Sequence, residues 1–496
     1  MAHTRTLLDP RRRARATRAN ADTPLPGFGS LSLTRGALRQ LLDRHASHSV
    51  SRYRRLWSYY RNPGVESSPE GTGPASRHLA QRCGLPGRLR GEPLDDDRRS
   101  PREIVIENDI AWRIDAMVDF LLREPISILS LSDDEETRHK IERILDATLE
   151  ASGGAQLIHD ILLLGAIYGH VDVLVRTDEL FSTRARSRGL EGALELASSI
   201  RVEPIVAERG IPLLDPSDYR TIDAYIVHSS IASLTERDAR TTITDVYSAT
   251  HHVQLADSSI RHSGVSRLGV LPVVHMQNRS QPLHYEGLSE VEPLIPLQDE
   301  LNTRLSDRAN RVTMQSFKMY LAKGIDAFGA SGTPASIGPG QIWSTDNPDA
   351  SIQSFGGDAS SPSEDAHIEQ IRQALDKTSG ITPVAAGVIR ERIGQLSSEN
   401  ALRVTFMGML AKSQRKQLTY GRGIAQICRL ILLALDRAGV YPTTHSQRDV
   451  RVVWPDPIPT SEPDRLESAR EKIDLGVPDE RVLAELGYAP GDQGVV

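Results

Sequence analysis

Gly269-Val270-Leu271-Pro272-Val273-Val274 leads to Asn278-Arg279, then to Gly287-Leu288-Ser289-Glu290-Val291, then to Leu297-Gln298-Asp299-Glu300-Leu301-Asn302 and Leu305-Ser306-Asp307. This ordered run, within residues 269–323, decides the fold. Its first part is short, β-branched and bounded by Gly and Pro, which predicts a strand over Val270–His275. In its last part Leu294, Leu297, Leu301 and Leu305 recur at spacings of three or four, the period of an amphipathic helix. That helix is predicted to run from 294 to about Lys323, with Gly324 as its C-cap. Glu300 with Arg304, and Asp307 with Arg311, stand four apart with the acid first, the favourable order on a helix. The chain is expected to be α+β.

Upstream, residues 103–124 are predicted helical on Ile106, Ile110, Ile114, Met117, Val118 and Leu121. Residues 133–150 and 154–168 give two more helices, and 34–61 a helix rich in Arg and aromatics that stops at Asn62-Pro63-Gly64. Val171–Arg176, Ile200–Val206, Ala224–Val227 and Thr241–Tyr247 read as strands. Residues 62–101, dense in Gly, Pro, Ser and charge, read as a long loop. Downstream, residues 324–362 are dense in Gly, Pro, Ser and Asp. Residues 363–378 form an amphipathic helix with Ser363 as its cap and Gly380 as its stop. A Gly/Ala/Val loop covers 381–397. Ser398 then caps the longest helix, about 399–437, with an apolar stripe on Leu402, Phe406, Met409, Leu410, Leu418, Ile424, Ile427, Ile431 and Leu435. The tail holds an extended piece at Val450–Trp454 and two short helices, after Ser461 and Pro478.

The chain has 496 residues, 39% apolar and 25% charged, too long for one core and too apolar for a disordered chain. Leu157–Gly169 and Ile424–Leu435, its greasiest stretches, are too short to span a bilayer, and no membrane partner is expected. The N-terminus lacks an apolar stretch of the kind a secretory signal needs. Cys83 and Cys428 lie far apart, so a disulfide framework is not expected. Net charge is −6, yet residues 1–61 carry 13 Arg and 3 Asp, leaving about −16 on the rest. Residues 1–30, with Arg11, Arg12, Arg13, Arg15 and Arg18, predict a disordered basic arm.

The usual marks of catalysis fail. No phosphate-binding G-x-x-x-x-G-K-[ST] loop is present; Gly408-Met409-Leu410-Ala411-Lys412-Ser413 lacks the second Gly and sits mid-helix. Gly329-Ala330-Ser331-Gly332 is a turn, since its second Gly comes one position too early for a nucleophile elbow. Asp95-Asp96-Asp97 and Asp133-Asp134-Glu135-Glu136 could supply a two-metal nuclease, but consecutive carboxylates cannot all converge on one point. The second run precedes a helix, where acids complement the dipole. His251-His252 and His45 with His48 lack partners at ligand spacing and read as surface histidines. Neither a metal nor a cofactor is expected.

The run at 269–323 resembles the portal (head–tail connector) proteins of tailed double-stranded DNA phages. Ser397-Ser398-Glu399-Asn400-Ala401-Leu402 resembles the small-residue entry to that family's long helix. Tyr59-Tyr60-Arg61-Asn62-Pro63-Gly64 and Asn108–Pro125 resemble its N-terminal region.

The resemblance implies a structural protein and no enzyme: a mainly helical protomer with wing, stem, clip and crown, assembled as a ring, commonly a dodecamer, at one capsid vertex of the virion. It implies assembly in the host cytoplasm. Double-stranded DNA would pass through the channel during packaging and ejection. Partners would be the terminase motor, the major capsid and scaffolding proteins, and a head–tail adaptor. Mapped onto this chain, residues 31–293 would be wing, 294–323 a stem helix, 324–362 the clip, 363–380 a second stem helix, 381–397 the tunnel loop, 398–439 the long wing helix and 440–496 the crown. The tunnel loop would present Arg390, Glu391, Arg392 and Gln395 to DNA. Glu300, Arg304, Asp307 and Arg311 would mark the stem. The alternative is a phage-encoded, metal-dependent nuclease using the acidic runs.

Overall fold

The computed structural model describes residues 23–62, 64–65, 78–90, 103–232, 240–257, 259–316, 319–323, 349, 351–355, 361–383, 404–457, 462–479 and 482–483. The chain divides into two compact units. The larger takes Met1–Trp57, Ala111–Glu292 and Ser379–Val496; the smaller takes Ser58–Ile110 and Pro293–Thr378.

Helix α1 (Arg35–Arg61) buries Leu38 beside Leu25, Phe28 and Leu33. Helix α2 (Asp109–Leu121) is shorter than its periodicity predicts: residues 103–108 are extended. Strand β1 (Ser127–Ser130) leads to α3 (Glu135–Ala151), whose N-cap is Asp134; its Oδ2 accepts from Thr137 N at 2.8 Å. The acidic run before α3 therefore caps a helix, satisfying an N–H the first turn would leave bare. Helix α4 (Gly154–Tyr168) ends at Gly169, whose φ is +91° and which any side chain would crowd: a Cβ there would lie 2.4 Å from Gly287 O.

From here the larger unit is β-rich. Strands β2 (His170–Arg176) and β3 (Arg201–Ile205) belong to a three-stranded antiparallel sheet. Strands β4 (Gly210–Asp215), β5 (Asp218–Ala232), β6 (Arg240–Ser248), β7 (His251–Ala256) and β8 (Ser259–Val265) form a five-stranded antiparallel meander in the order β8-β7-β6-β5-β4. Its apolar face, with Ile226, Val246 and Val253, closes on the residues beside α1. Strand β9 (Val273–Gln277) completes the smaller sheet, in the order β9-β2-β3. Three of these strands were not legible as strands. β8 is exposed at most positions and lacks an inward apolar face. β4 carries Pro212, tolerated because β4 lies at the sheet edge. β7 opens on His251-His252, which are half-buried rather than on the surface: His252 Nε2 lies 3.0 Å from Asp245 Oδ1 and its ring stacks on Tyr247 at 4.3 Å.

Helix α5 (Ile295–Ser316) ends seven residues short of the predicted Lys323, so Gly324 is not its cap. Met319–Lys323 is strand β10 instead, paired antiparallel with β11 (Ser351–Phe355) in the register Met319↔Phe355. Pairing with a segment distant in sequence overrides the helical period. Helix α6 (Pro362–Ser379) opens on Pro362, so Ser363 lies inside it; the N–H groups of Glu364 and Asp365 bond Ser361 O. Gly380, at φ +68°, ends it as expected.

Helix α7 (Met407–Arg437) is the spine of the larger core. Ile424, Ile427, Cys428, Ile431, Leu432 and Leu435 are buried against α3, α4 and β2 residues such as Ile144, Ile161 and Val173. Leu418 departs from the predicted stripe and is 75% exposed. By length and composition α7 is apolar enough to cross a membrane, but half of its most apolar window is buried in this core. Cys83 is exposed and Cys428 buried, both free; burial pushes the Cys428 thiol up to about 12. Strand β12 (Val450–Val453) pairs antiparallel with β1, and α8 (Glu462–Asp474) follows.

Candidate functional site: a polar ladder and a buried ion cluster

In the smaller unit, one face of α5 carries Gln298, Asn302, Ser306 and Asn310, four residues apart and thus in one row. The row grips the extended residues 103–108 and the first residues of α2. Gln298 Oε1 accepts from Asp109 N (3.0 Å) and Ile110 N (3.2 Å). Asn302 Oδ1 accepts from Glu107 N at 3.0 Å, Ser306 Oγ from Val105 N at 3.0 Å, and Asn310 Oδ1 from Glu103 N at 2.9 Å. Ser306 Oγ and Asn310 Nδ2 donate back to the carbonyls of Val105 and Glu103. Three side-chain amides and one hydroxyl thus replace a partner strand for every second backbone group, which is why Ile106 does not join a helix. Gln298, Asn302 and Ser306 are fully buried. Asn302 Nδ2 also donates to Gln81 Oε1 at 2.9 Å, and Gln81 Nε2 donates to Asn108 Oδ1 and Tyr59 O, both at 2.8 Å. The spacing of four was visible in the sequence; the partner was not.

The four charged residues predicted on this helix are all placed, and one of the two predicted pairs forms. Arg304 Nε does donate to Glu300 Oε1 at 2.7 Å. Asp307 instead receives Arg88, with Nη2 to Oδ2 at 2.8 Å. Arg311 pairs with Glu364 of α6, Arg308 meets Asp365 at 3.1 Å, and His367 Nε2 lies 3.4 Å from Glu300. The opposite charges on α5 and α6 hold these helices side by side. Helix–helix contact outcompetes the local i,i+4 pair because Arg311 and Glu364 are both largely shielded from water.

In the larger unit a second cluster forms around Glu290, from the run that decides the fold. Glu290 is 4% exposed, and Lys412 Nζ and Lys416 Nζ lie 2.6 and 2.7 Å from its two oxygens. Burial alone would raise the Glu290 carboxyl, but the two ammonium groups outweigh it and hold it well below the usual carboxylate range. Asn278, buried, receives Tyr420 Oη on its Oδ1 at 3.0 Å and donates from Nδ2 to Glu290 Oε1 at 3.1 Å. Lys416 donates to that same oxygen of Asn278. Ser289 Oγ donates to Ile167 O at 2.6 Å. Asn278, Ser289 and Glu290 thus join β9 and its following loop to α4 and α7. Lys412 also donates to Ser379 O at 3.0 Å, and buried Arg113 reaches Ile381 O at 3.3 Å, so the chain is anchored where residues 381–397 begin. Sequence reading singled out Lys412 only inside a failed phosphate-loop match; nothing in one dimension shows that Lys412 and Lys416 face a carboxylate 122 residues away.

Arg390, Glu391, Arg392 and Gln395 lie outside the described residues, as do Asp95–Asp97 and Gly329–Gly332. Among the described residues no group of three or more His, Cys, Asp or Glu side chains is placed to hold a metal ion.

Both clusters hold backbone elements in place. Residues 39–487 match the family described as phage portal protein, SPP1 Gp6-like, and the chain belongs to that family. Its function is that of a portal protein, and nothing supports the nuclease alternative. Among solved structures, the chain is similar to the neck of an empty GTA particle computed with C6 symmetry, at 10% identity and TM-score 0.44, covering 77% of this chain and 90% of that one. It is also similar to the virion of a native gene transfer agent particle, at 9% identity and TM-score 0.41 over the same shares. A third likeness is the neck of a native GTA particle computed with C12 symmetry, at 12% identity and TM-score 0.37, covering 71% and 89%. No curated protein matches the chain.

Proposed function

We propose that the chain is the repeating unit of a ring, in the family's common form a dodecamer, set at a capsid vertex of a virion and conducting double-stranded DNA. The membership of residues 39–487 in the portal family carries this reading. A ring of this kind needs head-to-tail interfaces that close by rotation. At −6 per chain, a dodecamer carries about seventy negative charges. DNA would meet a wall that offers few counterion-releasing contacts, so it slides rather than sticks. Salt screens this field beyond about 8–10 Å, confining it to the channel wall.

In this reading α5 and α6 are the stem helices, and Glu300, Arg304, Asp307 and Arg311 lock the stem rather than touch DNA. The antiparallel pairing of β10 with β11 supports residues 324–362 as the clip between the two stem helices, which docks the terminase motor, then the head–tail adaptor. Residues 381–397 form the tunnel loop, rooted by Arg113 and Lys412. The protein has no catalytic task of its own. Negative-stain images of the purified full chain test the reading. Rings with a central hole are expected; a uniform field of monomers or solid particles at all protein concentrations overturns it.

A further inference from the structure

Strand β9 lies at the end of its sheet, paired only with β2. Val175 N donates to Pro272 O and Asn278 N to Gly169 O, both at 2.8 Å. With the register Val274↔Val173 and Met276↔Val171, the even-numbered residues of β9 therefore exchange hydrogen bonds with β2. The N–H and C=O groups of Val273, His275 and Gln277 must point the other way. Among the described residues none of these six groups receives a backbone or side-chain partner.

This bare edge is the floor of a cleft of about 570 Å³, within the range of ligand-binding pockets. Thr419, Arg422, Gly423 and Gln426 of α7 wall one side; Tyr219 and Arg220 of β5 and the loop 280–285 wall the other. Gly423 brings α7 down onto Met276, since a Cβ there would lie 2.1 Å from its Sδ. The helix thereby covers a face of the sheet and leaves the edge open. The lining includes two arginines and no Asp or Glu, in a chain that is acidic overall. Arg220 is held against Tyr219, Nε donating to its Oη at 3.0 Å with the guanidinium 5.3 Å from the ring centre. Arg220 and Arg422 are exposed, and among the described residues neither guanidinium forms an ion pair; the Asp218 carboxylate, which accepts the Arg220 backbone N–H at 3.0 Å, is not part of the cleft lining.

We propose that this cleft binds an extended, acidic segment of a partner polypeptide by strand addition to β9. Three backbone donors and three acceptors at alternate residues match an incoming strand and nothing in a DNA duplex. Arg220 and Arg422, on opposite walls, select acidic side chains at its flanks. An open strand edge left without such a partner invites unspecific pairing.

The test uses the full-length protein and a fluorescein-labelled nonapeptide alternating Glu and Val. Binding is expected, weakened at least tenfold by Arg220→Glu with Arg422→Glu; both residues are exposed, so the fold is retained. As a check needing no protein variant, the peptide is N-methylated on alternate residues. Methylation of one register should abolish binding and of the other should not, because only one set of N–H groups faces β9. A fluorescent DNA duplex and sedimentation of the protein alone run in parallel. The proposal fails if both N-methylated peptides bind like the parent. It also fails if the charge reversals weaken duplex binding or self-association while leaving the peptide unaffected.

Discussion

Asp172 shows how one buried carboxylate organises its surroundings. It is 3% exposed and receives Tyr225 Oη at 2.6 Å, Tyr285 Oη at 2.7 Å and the His275 ring at 2.7 Å. Burial would raise its pKa, but the charge and hydrogen bond of His275 and the bond from Tyr225 hold it at about 2, below its ordinary 3.8. Its stabilisation, about 2 kcal/mol, is therefore present above pH 3.8 and lost as pH falls toward 2. His170, also buried, is pushed below its ordinary 6.5 by burial, and its Nδ1 has no hydrogen-bond partner among the described residues. The unfolded chain takes up that proton first, so stability also falls as pH drops below 6.5. Urea midpoints of the wild type should decline from pH 6.5 to 5, and His170→Gln should flatten that decline; parallel curves would remove His170 as the cause. Glu290→Gln would leave Lys412 and Lys416 facing each other without a counter-charge, at a cost of about 3–5 kcal/mol. A drop in thermal midpoint of less than a degree would contradict the cluster's structural role.

The polar row on α5 is the element that departs furthest from binary patterning. Its apolar face was legible from Leu294, Leu297, Leu301 and Leu305, and its charges were legible as pairs. Gln298, Asn302, Ser306 and Asn310 carry no such signal, because a polar residue at spacing four reads equally well as a solvated face. Their burial depends on residues 103–110, almost two hundred positions away. Asn302→Ala removes the acceptor for the half-buried Glu107 N and the donor to the buried Gln81, leaving both groups bare. The expected loss is about 1–3 kcal/mol, with faster proteolysis at residues 103–108 than at α5 itself. Unchanged cleavage there would mean that the ladder does not hold the segment. The shortened α5 and the strand β10 share this logic: Met319–Lys323 has helical periodicity but pairs with Ser351–Phe355, and local preference yields to the partner.

At the scale of the whole molecule, the acidic chain and its basic N-terminal stretch set the electrostatics of any ring it builds. Within the proposed tunnel loop, Arg390, Glu391 and Arg392 add one net positive charge per subunit. One ring of such contacts neutralises few phosphates and stays easy to break. Arg390→Glu with Arg392→Glu should leave rings of normal size in negative stain, yet reduce the amount of DNA packaged or retained. Normal packaging by rings of that double variant would show that these charges do not act on DNA.

The sequence by itself determined the α+β class, the long core helix, the acidic start of α3 and the stop at Gly380. It also carried the family, because each rests on residues close together in the chain: a period of 3.6, a turn residue, an ordered run of short motifs. Only the tertiary structure decided that Glu290 neutralises Lys412 and Lys416, that Arg311 takes Glu364 rather than Asp307, and that residues 103–108 stay extended. It alone showed that β9 keeps an open edge. Each of these is a choice among competing partners, and the winner is set by which groups burial brings together and strips of water.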